Sequence, residues 1–165
     1  MRIGFSGTSA GMTNDQMLQV HMLLGDMWTG GATQASHGMC QGADEQFHGM
    51  AKVLGYFLIG CPGVSHKDTL WKRSEKCQCD MVMPVKFFLD RNRDIVRESD
   101  ILIATPKETK EQMRGSGTWA TIRYARQAHR PLIIVWPDGT STVEHLPGVS
   151  TAEDYRMQCL RGEWV

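Results

Sequence analysis

Residues 114–136 read RGSGTWATIRYARQAHRPLIIVW, and this stretch decides the fold. Gly115-Ser116-Gly117-Thr118 places glycines and hydroxyls just before a segment of helical character that runs to about Arg130. "LIIVW" then makes a strand. A glycine-rich turn that opens a helix presents unpaired backbone N–H groups at the positive end of the helix dipole, which is a ready cradle for an anion. The hydroxyls of Ser116 and Thr118, with the N–H groups of Gly117 to Trp119, could wrap one phosphate. The Trp119 ring either stacks on a base or packs under the sheet.

Upstream, the same alternation repeats. "RIGFSG" is a short apolar strand. "TNDQMLQVHMLLGDMW" is a helix with a capping box, Thr13 and Gln16 standing three residues apart. Its Met17, Val20, Leu24 and Met27 recur at helical spacing. "ATQAS" is a second strand. In "ADEQFHGMAKVLG", Phe47, Met50, Ala51 and Leu54 form one helical stripe, with acids in the first turn and Gly55 past the end. "YFLIG" is a third strand, apolar throughout as in a sheet covered on both faces. "DRNRDIVRES" reads as helix, "DILIAT" as the fourth strand and "LIIVW" as the fifth. "PDGT" is a turn, and the tail to Val165 shows no pattern.

Strands alternating with helices define an α/β fold: a Rossmann-like parallel sheet of about five or more strands with helices on both faces. The reading is one domain over residues 1–165, with an inserted loop at about 61–86. That loop is polar and irregular, with one short strand possible at "DMVMP", and loops of such length are usually functional. Ligands of parallel sheets sit at the carboxyl ends of the strands, at the switch point. The loops that follow strands therefore matter most.

The 165 residues carry 18 basic and 18 acidic side chains. A neutral chain argues against nucleic acid as a partner, since phosphate grip needs a basic surface. No apolar run approaches the ~18 residues that span a bilayer, so no membrane partner is expected. Five cysteines without scaffold spacing suit a reducing, cytoplasmic setting.

Ser6, Gly7, Thr8 and Ser9 form a hydroxyl-rich turn after the first strand, without G-x-G-x-x-G spacing. Gly38 and Gly42 flank a second turn. Asp44 follows it, either to bind ribose hydroxyls or to complement the helix dipole. Arg91 and Arg93 stand two apart, so one faces the site and the other does not; a guanidinium fork suits phosphate. His37, Cys40 and His48 match no common zinc spacing, nor do Cys61, His66, Cys77 and Cys79. No metal and no cofactor are expected, and the thiols read as buried or idle.

Four stretches, "GFSGTSAGMT", "HGMCQGADEQFH", "DRNRDIVRESDILIATP" and "GSGTWATIRYARQAHRPLIIVW", together resemble one superfamily. It joins the Lonely Guy phosphoribohydrolases, the DNA-processing protein A fold and the SLOG sensor domains, and the resemblance covers roughly residues 1–137. It implies a nucleotide- or sugar-phosphate-binding Rossmann-like sheet and a homodimer or larger homo-oligomer. The phosphoribohydrolase signature P-G-G-x-G-T-x-x-E falls on the stretch ending at Thr121. Gly115, Gly117 and Thr118 match it, and Thr121 stands where the family has its glutamate. Arg91 matches the arginine of a second signature, whose lysine is Asn92 here.

A missing carboxylate favours capture over glycosidic cleavage, although Asp44, Asp90, Glu108 or Glu111 could stand in. Two readings follow from the resemblance. The first is binding of a nucleotide-derived signal (a nucleotide, ADP-ribose or a cyclic nucleotide), including its sequestration by an anti-defence protein. The alternative is a nucleoside 5′-monophosphate phosphoribohydrolase.

Overall fold

A computed structural model describes residues 1–67, 69–70 and 72–163. Its main sheet has seven strands: β1 (Arg2–Gly7), β2 (Gln34–His37), β3 (Phe57–Gly60), β5 (Met81–Val82), β7 (Ile101–Thr105), β8 (Leu132–Val135) and β9 (Ser141–Glu144). Two further strands, β4 (Gly63–Val64) and β6 (Lys86–Phe87), form a small parallel pair within and beside the insertion. The order across the main sheet is β5-β3-β2-β1-β7-β8-β9, parallel throughout except for β9, which runs antiparallel to β8.

Five helices cover it. α1 (Asn14–Thr29), α2 (Ala43–Leu54) and α5 (Ala152–Leu160) lie on one face, and α3 (Phe88–Glu98) and α4 (Gly117–Gln127) on the other. The strand period of two explains how one strand serves both layers. Ile101 and Ile103 of β7 pack toward the first face, and Leu102 and Ala104 toward the second. β8 repeats this with Ile133 and Val135 against Leu132 and Ile134.

The capping box of α1 forms as its sequence dictates: the Thr13 hydroxyl accepts from Gln16 N–H, and the Gln16 side chain accepts from Thr13 N–H. Gln16 is also buried, and its Nε2 donates to the carbonyls of Pro106 and Val135. It thereby ties the start of α1 to the carboxyl ends of β7 and β8. α2 ends on Gly55 in the left-handed conformation, at φ 95°.

Some boundaries differ from the sequence reading. α3 starts at Phe88, before "DRNRDIVRES". α4 stops at Gln127 rather than near Arg130, because Pro131 disfavours helix in the residue before it and His129 turns to φ 49°. The tail forms β9 and α5 where no pattern was expected. Phe57 of β3 is half exposed, because it stands at the strand's entry rather than within the layers. Among the described residues no helix is long and apolar enough to cross a membrane.

Candidate functional site

The chain leaves β1 through α1 to β2 on one side, and leaves β7 through α4 to β8 on the other. The adjacent pair β1 and β7 is therefore the switch point, where two connections diverge and a crevice opens. A cavity of about 290 Å³ lies there.

Segments from across the sequence build its wall. The end of β1 and the turn after it contribute Ser6, Gly7, Thr8 and Ser9, and the turn after β2 with the start of α2 contributes Gly38 and Asp44. α3 contributes Arg91 and Asn92, and the start of α4 contributes Gly115, Ser116, Gly117 and Thr118. These loops are distant in sequence, and the sheet alone brings them to one rim.

The start of α4 is the most anion-directed part. Ser116 caps the helix by accepting from Trp119 N–H at 3.2 Å, and its own hydroxyl proton stays available to donate. Gly117 and Thr118, in the first turn, have no acceptor within the helix for their N–H groups. The Asn92 side chain stands beside them: a Cβ built on Gly117 would lie 3.8 Å from Asn92 Nδ2.

Arg91 lines the cavity while directing its fork into the protein. Nη1 donates to Gly38 O at 2.6 Å and Cys61 O at 2.8 Å, and Nε donates to Asn92 Oδ1 at 2.6 Å. Nη2 lies 3.4 Å from Cys40 Sγ. The guanidinium thus clamps the carboxyl ends of β2 and β3 and orients Asn92 on the cavity wall.

Asp44 is buried on the wall, and Cys40 N–H donates to its Oδ2 at 3.1 Å. Burial pushes its carboxyl up to about 6, against the opposing pull of Arg91. Of the four carboxylates that could stand in for the glutamate of the resembled phosphoribohydrolases, Asp44 and Glu108 line the cavity. Asp90 pairs with Arg93 at 3.0 Å and Glu111 with Arg123 at 3.5 Å, and neither is on the wall. Thr121 is fully buried, and its hydroxyl donates to Gly117 O at 2.8 Å.

Three expected site residues lie elsewhere. Trp119 packs in the core under the sheet, 6.0 Å between ring centroids from Trp136, so the packing alternative holds for its ring. Arg93 lies over the Tyr124 ring at 4.5 Å, between α3 and α4. Gly42 is structural: at φ 81°, a Cβ there would come within 2.3 Å of Ser9 O, so only glycine lets the first two turns meet.

Lys72, Lys107, Asn92 and Cys40 are wall residues that the sequence reading did not assign to the ligand site. Lys72 belongs to the insertion. Antiparallel bonds bring it in: Gln41 N–H donates to Lys72 O at 2.8 Å and Ser74 N–H to Met39 O at 2.9 Å. Asn92 was visible as the neighbour of Arg91, at the place where the resembled family carries lysine. Lys72, Lys107 and Arg91 outnumber Asp44 and Glu108 on the wall, and the α4 dipole adds to their positive field.

No protein-family model matches the chain, and no curated protein matches it in sequence. Solved structures share its fold. The molybdenum cofactor binding protein from the phototrophic bacterium Rippkaea orientalis superposes with a TM-score of 0.58 at 21% identity, over 82% of this chain and 76% of that one. The molybdenum cofactor carrier protein from Chlamydomonas reinhardtii gives 0.57 at 22% identity, over 81% and 74%. The structural-genomics target TM1055 gives 0.56 at 15% identity, over 79% and 71%. At these identities the likeness defines the class of fold, a Rossmann-like α/β sheet, and nothing finer.

Proposed function

We propose that the chain binds a phosphorylated, nucleotide-derived small molecule in the cavity at the β1–β7 switch point and holds it intact. The observation that carries this reading is the donor set at the start of α4. The Gly117 and Thr118 N–H groups and Asn92 Nδ2 converge on a wall that also carries Lys72 and Lys107. Such a set suits one phosphate group better than a neutral ligand. The volume, about 290 Å³, lies at the small end of ligand pockets and fits a nucleoside monophosphate or sugar phosphate better than a dinucleotide.

Capture without cleavage is supported by Thr121. By resemblance it occupies the place of a catalytic glutamate, and here it is a buried hydroxyl satisfied by its own helix. Retention of an intact signal nucleotide is what sequestration requires, the role suggested by the likeness to SLOG sensor domains. Two proteins of this fold are named for binding or carrying a molybdenum cofactor, which gives small-molecule carriage a precedent on this sheet. Mass spectrometry of compounds released by denaturing the purified chain tests the reading. An intact phosphorylated nucleoside or sugar is expected, and its hydrolysis products alone would contradict it.

One observation favours the phosphoribohydrolase alternative. Asp44 is a cavity carboxyl held near neutrality, where a group can exchange protons with a leaving base. Release of free base from AMP, abolished by Asp44→Asn, would establish that alternative in place of capture.

A further inference from the structure

Beside the cavity, away from the α4 cradle, a second group of side chains meets. His37 ends β2, His48 lies on α2, and Cys77 and Cys79 come from the insertion. His37 Nε2 is 2.9 Å from His48 Nδ1, and Cys79 Sγ is 3.8 Å and 3.9 Å from those same two nitrogens. His37, His48 and Cys77 each offer a ligand atom within 4.8 Å of the others. All three are buried and Cys79 is half-buried.

We propose that His37, His48, Cys77 and Cys79 hold a structural zinc ion that fastens the 61–86 insertion to the β2–α2 connection. Zinc bonds of about 2.0–2.1 Å to nitrogen and about 2.3 Å to sulfur put tetrahedral ligand atoms roughly 3.3–3.8 Å apart. The separations of 2.9, 3.8 and 3.9 Å among His37, His48 and Cys79 bracket that range. Cys77 offers its sulfur within 4.8 Å of the two histidines, so side-chain rotation, largest at Cys77, brings the four ligands together. Two imidazoles and two thiols without a carboxylate select a borderline-soft ion over calcium or magnesium. Four protein ligands leave no open position, which marks the site as structural.

The insertion needs such a fastening. Among its described residues regular structure is confined to two-residue strands, and Leu70, Met81, Val82, Met83 and Val85 are exposed. Little apolar burial offsets the entropy of ordering so long a segment. The zinc would fix the residues just after the Lys72–Ser74 contacts, and so would hold Lys72 at the cavity. The inference does not depend on which ligand the cavity takes.

The proton balance is definite. Met39 N–H donates to His37 Nδ1 at 3.0 Å, which puts the His37 proton on Nε2, facing His48 Nδ1. On binding, zinc displaces that proton, His37 is reprotonated at Nδ1, and the Met39 hydrogen bond is lost. Each thiol releases one proton to solvent, so two protons leave per zinc. Two hydrogen bonds, Met39 N–H to His37 Nδ1 and His37 Nε2–H to His48 Nδ1, are exchanged for four coordination bonds.

The test is metal analysis of the full chain expressed in zinc-supplemented medium, followed by cobalt titration of the reduced, chelator-treated protein. One zinc per chain is expected, with a thiolate-to-cobalt charge-transfer band and the strong visible bands of tetrahedral cobalt, both abolished by zinc. Cys77→Ser/Cys79→Ser is expected to lose the metal. Zinc-free wild-type protein with no thiolate band would overturn the proposal, and so would zinc retained by the double variant. Should the variant fail to fold, the cobalt spectrum of the wild-type chain decides alone.

Discussion

Lys72 Nζ donates to Ser9 Oγ at 2.8 Å, joining the insertion to the turn after β1 across 63 residues of sequence. The cavity wall is therefore completed by a segment outside the repeating strand–helix frame. Lys72→Ala is expected to weaken nucleoside monophosphate binding about three- to tenfold in calorimetry. A charge-assisted hydrogen bond contributes roughly 1.5–3 kcal/mol, discounted here for an exposed ammonium. An unchanged affinity would remove Lys72 from the site.

Gly42 and Gly49 differ in what a side chain would meet. Gly42→Ala places a methyl 2.3 Å from Ser9 O at φ 81°, and a loss of roughly 1–3 kcal/mol or more is expected from the backbone strain and clash. Gly49 is inside α2 with open space around it, so Gly49→Ala should stabilise by about 0.5–1 kcal/mol. Denaturant midpoints of the two variants check the contrast, and equal shifts would refute it.

Asp44 gives a signed pH dependence. Its folded carboxyl is raised from 3.8 to about 6, so the folded state keeps a proton that the unfolded chain has lost between those values. The stabilisation is complete below the unfolded value and disappears as pH rises through the folded one. Relative to wild type, Asp44→Asn should therefore gain stability across that window, by up to about 1.4 kcal/mol per pH unit. Urea unfolding at several pH values reads this directly, and parallel pH profiles would show that Asp44 titrates normally.

Arg93 separates the wall from the outer face. Its guanidinium lies over Tyr124 and pairs with Asp90, both outside the cavity lining. Arg93→Ala should cost less than about 1 kcal/mol of stability and leave ligand affinity unchanged. A tenfold loss of affinity would place the ligand against α3 instead.

The frame was legible where local chemistry and pattern agreed. Thr13 with Gln16 and Gly55 marked the start of α1 and the end of α2, and the short apolar runs "ILIA" and "LIIV" between helical segments read as strands between two layers. α5 was not legible because its buried stripe is Ala152, Tyr155 and Cys159, which carry little apolar contrast. Its capping box, Thr151 with Asp154, was the signal available. Most of the cavity wall was readable because glycines and hydroxyls cluster after strands. Lys72 was not, since nothing in its neighbours says that the insertion folds back to Ser9. The group at His37 escaped for a similar reason: its four members come from three segments, and the spacing between them has no local meaning.

Gly117 offers the most direct trial of anion capture at the start of α4. A side chain fits there, with Asn92 Nδ2 3.8 Å from a new Cβ, and an acid in the first helical turn favours the helix. Calorimetric titration of wild type and Gly117→Asp with AMP and ribose 5-phosphate, beside thermal unfolding of both, is the decisive measurement. Saturable binding by wild type is expected with at least one of the two, at least tenfold weaker in the variant, with melting temperature equal or higher. Equal affinity in the two proteins, or no binding of either compound by wild type, would contradict the account.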